Sequence, residues 1–560
     1  MKNILPFAVI ALVVLSCGNE KKQPGMEQQF DEFYAAFEKE YLPLSTAYNL
    51  AYWESATTGN PEAYQKTSET ELELKKFLAD TARFNEVKNI KEAVEITDSV
   101  KLRVINTLYN MMIEYQIDTV LMAEMVRLSN AVEEKYSVFR VTYKGKNISD
   151  NDAEDILRTS ANSKDLEEVW IGCKNLGPAV SDDIKKLVKL RNQVAKSLGY
   201  DNYHTMSLIL SDQDPADVEK IFNELDSLIR PAFVQLKGEI DAVLAKKYNL
   251  PADKLMPWHY QNRFFQEAPA IYSVDLDKYY KDRDLVKLTG DYYQSIGMNI
   301  EDLLKKSDLF EREGKNQHAF CTHIDAKGDI RVLCNVKSNS YWMNTMLHEY
   351  GHAVYDKYLD FSMPAVLREP AHTFTTEAIA MLFGRMASSA KWISDMTGVP
   401  EEEARKISEE AARTLRLEQL VFSRWSQVMY RFEKAMYADP DQDLNALWWK
   451  LVEEYQMMKK PEGRDMPDWA TKIHIATSPC YYHNYQLGEL LASQLHYYIV
   501  NNFCSDKDYR YQSYMNNTKA GDFLKAKVFA PGSRYYWNEM IEKATGEKLT
   551  AKYYAQQFLQ

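Results

Sequence analysis

The chain has 560 residues, 45% of them hydrophobic and 27% charged, enough for a large packed core and too ordinary in balance for a disordered or fibrous protein. Its net charge of −13, with no basic stripe, argues against a nucleic-acid partner. No internal repeat, low-complexity tract or Gly/Ser/Pro-rich linker interrupts residues 27–560, which reads as one large domain with two lobes.

Met1-Lys2-Asn3 precedes an apolar run from Ile4 to Leu15 that ends at Ser16-Cys17-Gly18, the charge, length and small-residue boundary of an export signal. Val14-Leu15-Ser16-Cys17 resembles a bacterial lipobox. On that reading residues 1–16 are a lipoprotein signal peptide, and Cys17 is lipidated and anchors the chain to a membrane, facing the periplasm or the cell surface. Residues 17–26 then form a flexible tether spanning at most about 3.3 Å per residue.

Beyond the tether the chain reads mostly as helix. Phe30 to Glu54, Leu72 to Phe84, Ile90 to Tyr115, Asp183 to Leu198 and Asp217 to Leu244 all repeat apolar residues at steps of three and four. Asp214-Pro215 and Val399-Pro400 each set proline at the start of a helix. The clearest strand signal is a hairpin from His318 to Val336 turning at Ala326-Lys327-Gly328-Asp329. Its edge strand is a place where an extended peptide can add by main-chain hydrogen bonds. Setting Cys17 aside, five cysteines remain, and Cys321 and Cys334 flank this hairpin, so a disulfide between them is expected.

Immediately after the hairpin, Tyr341 to Leu359 has a helical pattern and contains His348-Glu349-Tyr350-Gly351-His352, an H-E-x-x-H motif. Two imidazoles four residues apart on a helix point the same way and can grip one metal ion, while Glu349 faces a water on that metal. Met343, Met346, Tyr350 and Val354 fall on the opposite side, which such a helix buries. A catalytic zinc needs a third protein ligand and one open position. Glu369, His372 and Glu377 are the downstream candidates. Glu377 opens a run of good helix formers to Phe383 and is favoured, with His372 the rival because histidine is the commonest metal ligand.

Further on, Lys472-Ile473-His474-Ile475 and the pair Tyr482 and Tyr485 precede Gln494 and His496. On a helical wheel Tyr482, Tyr485, Glu489, Ala492 and His496 share one stripe and Leu487, Leu490, Leu491 and Leu495 another, so a polar face toward a cleft is expected. With these segments assembled, nearly the whole mature chain resembles the peptidyl-dipeptidase A family, the angiotensin-converting enzyme-like zinc metallopeptidases. Leu347 to His352, Ala365 to Glu369 and Thr376-Glu377-Ala378-Ile379 are similar to that family's zinc segment.

The resemblance implies a mainly α, zincin-type fold of the gluzincin kind, in which one large helical domain has two lobes around a deep peptide-binding cleft and a small antiparallel hairpin lies beside the zinc. It implies one Zn²⁺ on His348, His352 and Glu377, with Glu349 as general base. Tyr485 and His474 are then the oxyanion and carbonyl donors, and Lys472 and Tyr482 hold a substrate's free C-terminus. The chain also departs from the family. One extra residue before Tyr482 leaves Tyr481 as an alternative, and the family's carboxylate-binding glutamine falls at Tyr260, beside Gln261. Asn484 replaces the arginine that carries chloride in animal members, leaving chloride dependence open, and Met381 replaces an aspartate behind the zinc ligands. The expected activity is hydrolysis of short peptides by release of C-terminal dipeptides. The alternatives are a helical oligopeptidase of the thimet or oligoendopeptidase type cutting internal bonds, and a peptide-binding lipoprotein that no longer hydrolyses. The sequence is silent on oligomeric state.

Overall fold

The computed structural model describes residues 25–559 apart from 94 and 273. The predicted signal peptide, the lipobox and Cys17 lie outside the described residues. Helix α1 (Met26–Thr58) opens one residue before the predicted start of the domain. It packs with α2 (Ser99–Ile113) around Phe37, Val104 and Leu108, and these close over Met363, Val366 and Leu367 in an apolar cluster separate from the main core. That second cluster is the physical basis of the smaller lobe.

The larger lobe is built on long helices. In α3 (Pro215–Tyr248) the side chain of Asp214 accepts the Ala216 amide at 2.7 Å, the N-cap that its Asp-Pro signal called for. One face of α3, from Val218 through Phe222, Ile229 and Leu236 to Leu244, is fully buried in the main core. Two predicted helices are each broken. Leu72 to Phe84 spans the end of one helix at Leu78 and the start of the next at Thr81, where Asp80 caps Arg83 at 2.7 Å. Ile90 to Tyr115 is split ahead of Asp98, which caps α2 through Val100 and Lys101.

Strand pairing among the described residues is confined to two small antiparallel hairpins: β1 (Val141–Tyr143) with β2 (Lys146–Ile148), and β3 (Phe320–His323) with β4 (Ile330–Leu333). The register places Cys321 opposite Val332, so Cys334 lies diagonally from it, beyond the opposite pair. All five described cysteines are free, and the expected Cys321–Cys334 disulfide is not formed. From the smaller lobe, Asn49 of α1 donates to the carbonyls of His323 and Ile324 at 3.2 and 3.1 Å, and Tyr52 and Trp53 pack on the ring of Phe320. The hairpin is thereby a joint between the lobes.

Four further helices frame the centre of the molecule: α4 (Ser340–Lys357), α5 (Thr373–Gly384), α6 (Glu401–Ala438) and α7 (His483–Phe503). A short final helix, α8 (Lys552–Phe558), packs on α7. No helix among the described residues is long and apolar enough to cross a membrane. The fold is mainly α, in one domain with two lobes, as expected.

Candidate metal centre

Helix α4 starts where Asn339 accepts the Trp342 amide at 2.9 Å. Met343, Met346, Tyr350 and Val354 are fully buried, leaving His348 and His352 on the side that faces a cavity of about 1280 Å³ between the lobes. Gly351 sits between the two histidines against α5. A Cβ there would lie 2.8 Å from the Ala380 Cα and 3.2 Å from the Ile379 oxygen, so only hydrogen permits this approach. Gly488 of α7 packs on the other side of α5 less tightly, where a Cβ would come 3.4 Å from the Glu377 Cβ, an ordinary contact.

That close stacking carries Glu377 to the histidines. Its carboxylate oxygens lie 3.7 Å from His348 Nε2 and 3.9 Å from His352 Nε2, and all three ligand atoms fall within 4.8 Å of one another. A tetrahedral zinc site with bonds near 2.1 Å has its ligand atoms roughly 3.4 Å apart, so the set needs only a small contraction and leaves a fourth position open. The electrostatics agree. Burial pulls His348 down to about 4 and His352 to about 3, the latter helped by its neighbour, so both rings are neutral and free to ligate at pH 7. Burial pushes Glu377 up to about 7, and burial together with Glu377 pushes Glu349 up to about 8. Two enclosed carboxylates that resist ionisation beside two neutral imidazoles form a donor set that a divalent cation satisfies.

The rival ligands are occupied or remote. His372 caps α5, its Nδ1 accepting the Phe374 amide at 3.1 Å, so it holds the helix that bears Glu377 and does not join the cluster. Glu369 lines the same cavity without entering the cluster. Behind His352, Nδ1 meets the Thr376 hydroxyl at 2.7 Å. This contact orients the ring, the task expected of a residue at position 381, where Met381 has no polar atom to offer. Thr376 was visible in the sequence only as part of a matching segment.

Tyr481, Asn484 and Tyr485 line the cavity from the start of α7. The predicted polar stripe along α7 does not continue to face it. Glu489 turns to Arg385, and His496 bonds to Tyr514 and the Tyr509 carbonyl, because α7 is buried on every side from Gln486 to His496. Asn484 accepts from Gln213 Nε2 at 2.7 Å, and His483 bonds to Gln213 Oε1, a buried uncharged network where the family resemblance had an arginine.

Tyr482 points the other way, and its ring lies 5.2 Å from both His474 and Tyr485. Lys472 Nζ sits in an aromatic box, 5.2 Å from Tyr482, 5.5 Å from Trp425 and 5.6 Å from Phe264, and donates to Gln266 Oε1 at 2.6 Å. It is 7% exposed, and no carboxylate contacts it among the described residues. Burial pulls it down to about 8. His474 Nδ1 is buried without a protein partner. Glu267 and Glu154 act on the ammonium only from beyond ion-pair distance, so this buried cation lies beside an unpartnered ring nitrogen with no direct counter-ion among the described residues. The glutamine that meets Lys472 is Gln266. Tyr260 is instead tied to Asp241 and Lys237, and Gln261 accepts the Ala270 amide. Spacing alone carried no signal for Gln266, since a loop brings it in.

A helical protein that sets an H-E-x-x-H helix and a glutamate from the next helix over one deep cleft is built as a metal-dependent peptidase of the gluzincin kind. The family model for angiotensin-converting enzyme, peptidase family M2, matches residues 25–558, and the chain belongs to that family of zinc metallopeptidases. A comparison with curated proteins finds no match.

Proposed function

We propose that the protein removes dipeptides from the free C-terminus of short peptides, with His348, His352 and Glu377 holding one zinc ion. When bound, zinc lowers the pKa of a water toward about 7 and polarises the scissile carbonyl. Glu349, whose side chain is enclosed beside the ligand set, accepts the proton of the attacking water and then delivers it to the leaving amine. Tyr485 and His474 donate hydrogen bonds to the carbonyl oxygen as it gains charge. Lys472, Tyr482 and Gln266 take the terminal carboxylate.

The observation that carries the exopeptidase reading is Lys472, a buried ammonium with aromatic walls and, among the described residues, no carboxylate in direct contact, Glu267 and Glu154 acting on it only from farther away. An internal-cutting oligopeptidase has no use for such a group. Mass-spectrometric sizing of products from a peptide offered with free and amidated C-termini tests it: loss of dipeptide product from the amidated form is expected, and equal turnover of both would defeat carboxylate anchoring. Chloride dependence is part of the same reading. Because the Asn484 network carries no cation, we expect turnover in acetate buffer to equal that in chloride. Attachment to a membrane through Cys17 remains the reading that the N-terminal sequence supports, and labelling with a fatty-acid analogue tests it against Cys17→Ser.

A further inference from the structure

Helix α5 is a wall between two cavities. Its Thr376, Glu377 and Met381 line the catalytic cleft, while its Leu382, with Arg385 just past its end, lines a second cavity of about 510 Å³ bounded by α6 and the end of α8. The two cavities share no lining residue. In a chain of net charge −13 the described lining of this second cavity has the opposite sign, since Arg385, Arg413, Arg416 and Arg510 line it and Glu409 is the one carboxylate among the described lining residues.

Two of these arginines have acidic neighbours: Arg413 lies 3.6 Å from Glu410, and Arg510 3.4 Å from Asp508. Of the other two, Arg416 is under-matched, whereas Arg385 is held from below. Arg416 spends its Nε on the Phe558 carbonyl at 2.8 Å, and its terminal nitrogens have no acceptor among the described residues. The Arg385 side chain is 8% exposed. It pairs with Glu489 through one terminal nitrogen, its other terminal nitrogen donates to the Ser493 hydroxyl at 3.3 Å and to Gln557 Oε1 at 3.5 Å, and only its buried Nε has no acceptor. Phe558 touches both, its carbonyl accepting from Arg416 and its ring centroid lying 5.4 Å from the Arg385 Cζ. The rest of the lining includes Leu382, Met386 and Leu415, and the volume lies within the range of small-molecule sites.

We propose that this cavity binds a small organic carboxylate, its head on the free terminal nitrogens of Arg416 and its apolar body against Leu382, Met386 and Leu415. Guanidinium forks match carboxylates in geometry as well as charge, and the apolar wall distinguishes such a ligand from a bare ion.

Calorimetric titration of the zinc-loaded full chain with hexanoate, hexanamide and inorganic phosphate tests the proposal. Hexanoate is expected to bind, and the amide and phosphate to bind more weakly or not at all. Arg416→Ala should weaken hexanoate by about tenfold or more, the worth of one charge-assisted contact. Ala412→Phe, which fills the cavity without altering charge, should weaken it as well, and both variants should keep wild-type peptide turnover, which reports that they fold. Lys472→Ala should leave hexanoate binding intact, separating this site from the carboxylate end of the catalytic cleft. The proposal is overturned if hexanoate does not bind, if binding survives both cavity variants, if Lys472→Ala alone removes it, or if phosphate binds more tightly than hexanoate.

Discussion

Glu349 is 7% exposed and the nearest charge to it is the ligand Glu377, so its carboxylate has no structural partner to serve. Glu349→Gln keeps the shape and removes the base. Zinc content by atomic absorption should stay at one per chain, while turnover falls by roughly 10²–10⁴-fold. Persistence of wild-type turnover would remove Glu349 from the mechanism. Lys472 gives a pH signature. With its pKa pulled down to about 8, it is charged below that value and loses its charge as pH rises through it. We therefore expect kcat/KM for peptides with a free C-terminus to fall above about pH 8, and Lys472→Met to abolish that limb and lower activity at every pH. A limb unchanged in the variant would assign it to another group. These residues were legible to different degrees. The histidines and Glu349 declare themselves through spacing on one helix, and Glu377 through its helix-forming run. Gln266 and Thr376 matter only once the chain is folded, because one arrives on a loop and the other acts through a ring nitrogen that no linear pattern exposes.

At the scale of elements, α5 is held by backbone contact on two sides. Gly351→Ala would force a methyl to 2.8 Å from the Ala380 Cα, where backbone must move, and such overpacking costs about 1–3 kcal/mol. Because the displaced helix carries Glu377, zinc affinity should fall along with thermal stability. Gly488→Ala, with contacts at 3.4 Å, should be far milder in both. Melting curves and competitive chelation on the two variants check the order, and a milder effect at Gly351 would contradict it. The helices themselves followed from periodicity, whereas their breaks did not. Apolar repeats run on across Asp80 and Asp98, and only the capping hydrogen bonds of those aspartates show that new helices begin there. The α7 stripe failed for the opposite reason, since a helix enclosed on all sides buries its polar residues in pairs instead of presenting them to a cleft.

Across the whole molecule, charge is sorted. Glu114, Asp356 and Glu369 line the catalytic cleft with no cation in contact among the described residues, and the one lining arginine, Arg103, is paired with Asp212 at 2.6 Å. Burial raises the pKa of all three, Glu369 to about 7, so an arriving cation is what favours their charged form, and with the substrate's carboxylate end assigned to Lys472 they are left for a cationic group at its other end. Peptides bearing lysine or arginine on the N-terminal side of the scissile bond should be cleaved with higher kcat/KM than glutamate counterparts, and the gap should narrow as salt rises. A matched peptide series at two ionic strengths decides this, and equal rates would show the acids to be bystanders. A net charge of −13 gave no hint of this sorting, nor of the arginine-lined cavity, because composition averages over surfaces that folding separates.

The backbone contact at Gly351 also bears on how the enzyme acquires its metal. Helices α4, α5 and α7 are locked by apolar packing and glycine contacts that involve no ligand atom, so the pocket for the ion is set by the fold and not by the ion. Small zinc domains, by contrast, collapse when stripped. The chelated protein should keep its far-ultraviolet circular dichroism and melt cooperatively, at a temperature lowered only by the lost binding energy. Adding zinc or cobalt to it should then restore turnover as fast as the ion can diffuse in, with no refolding phase, and a slow recovery would show that the ion helps to build its own site.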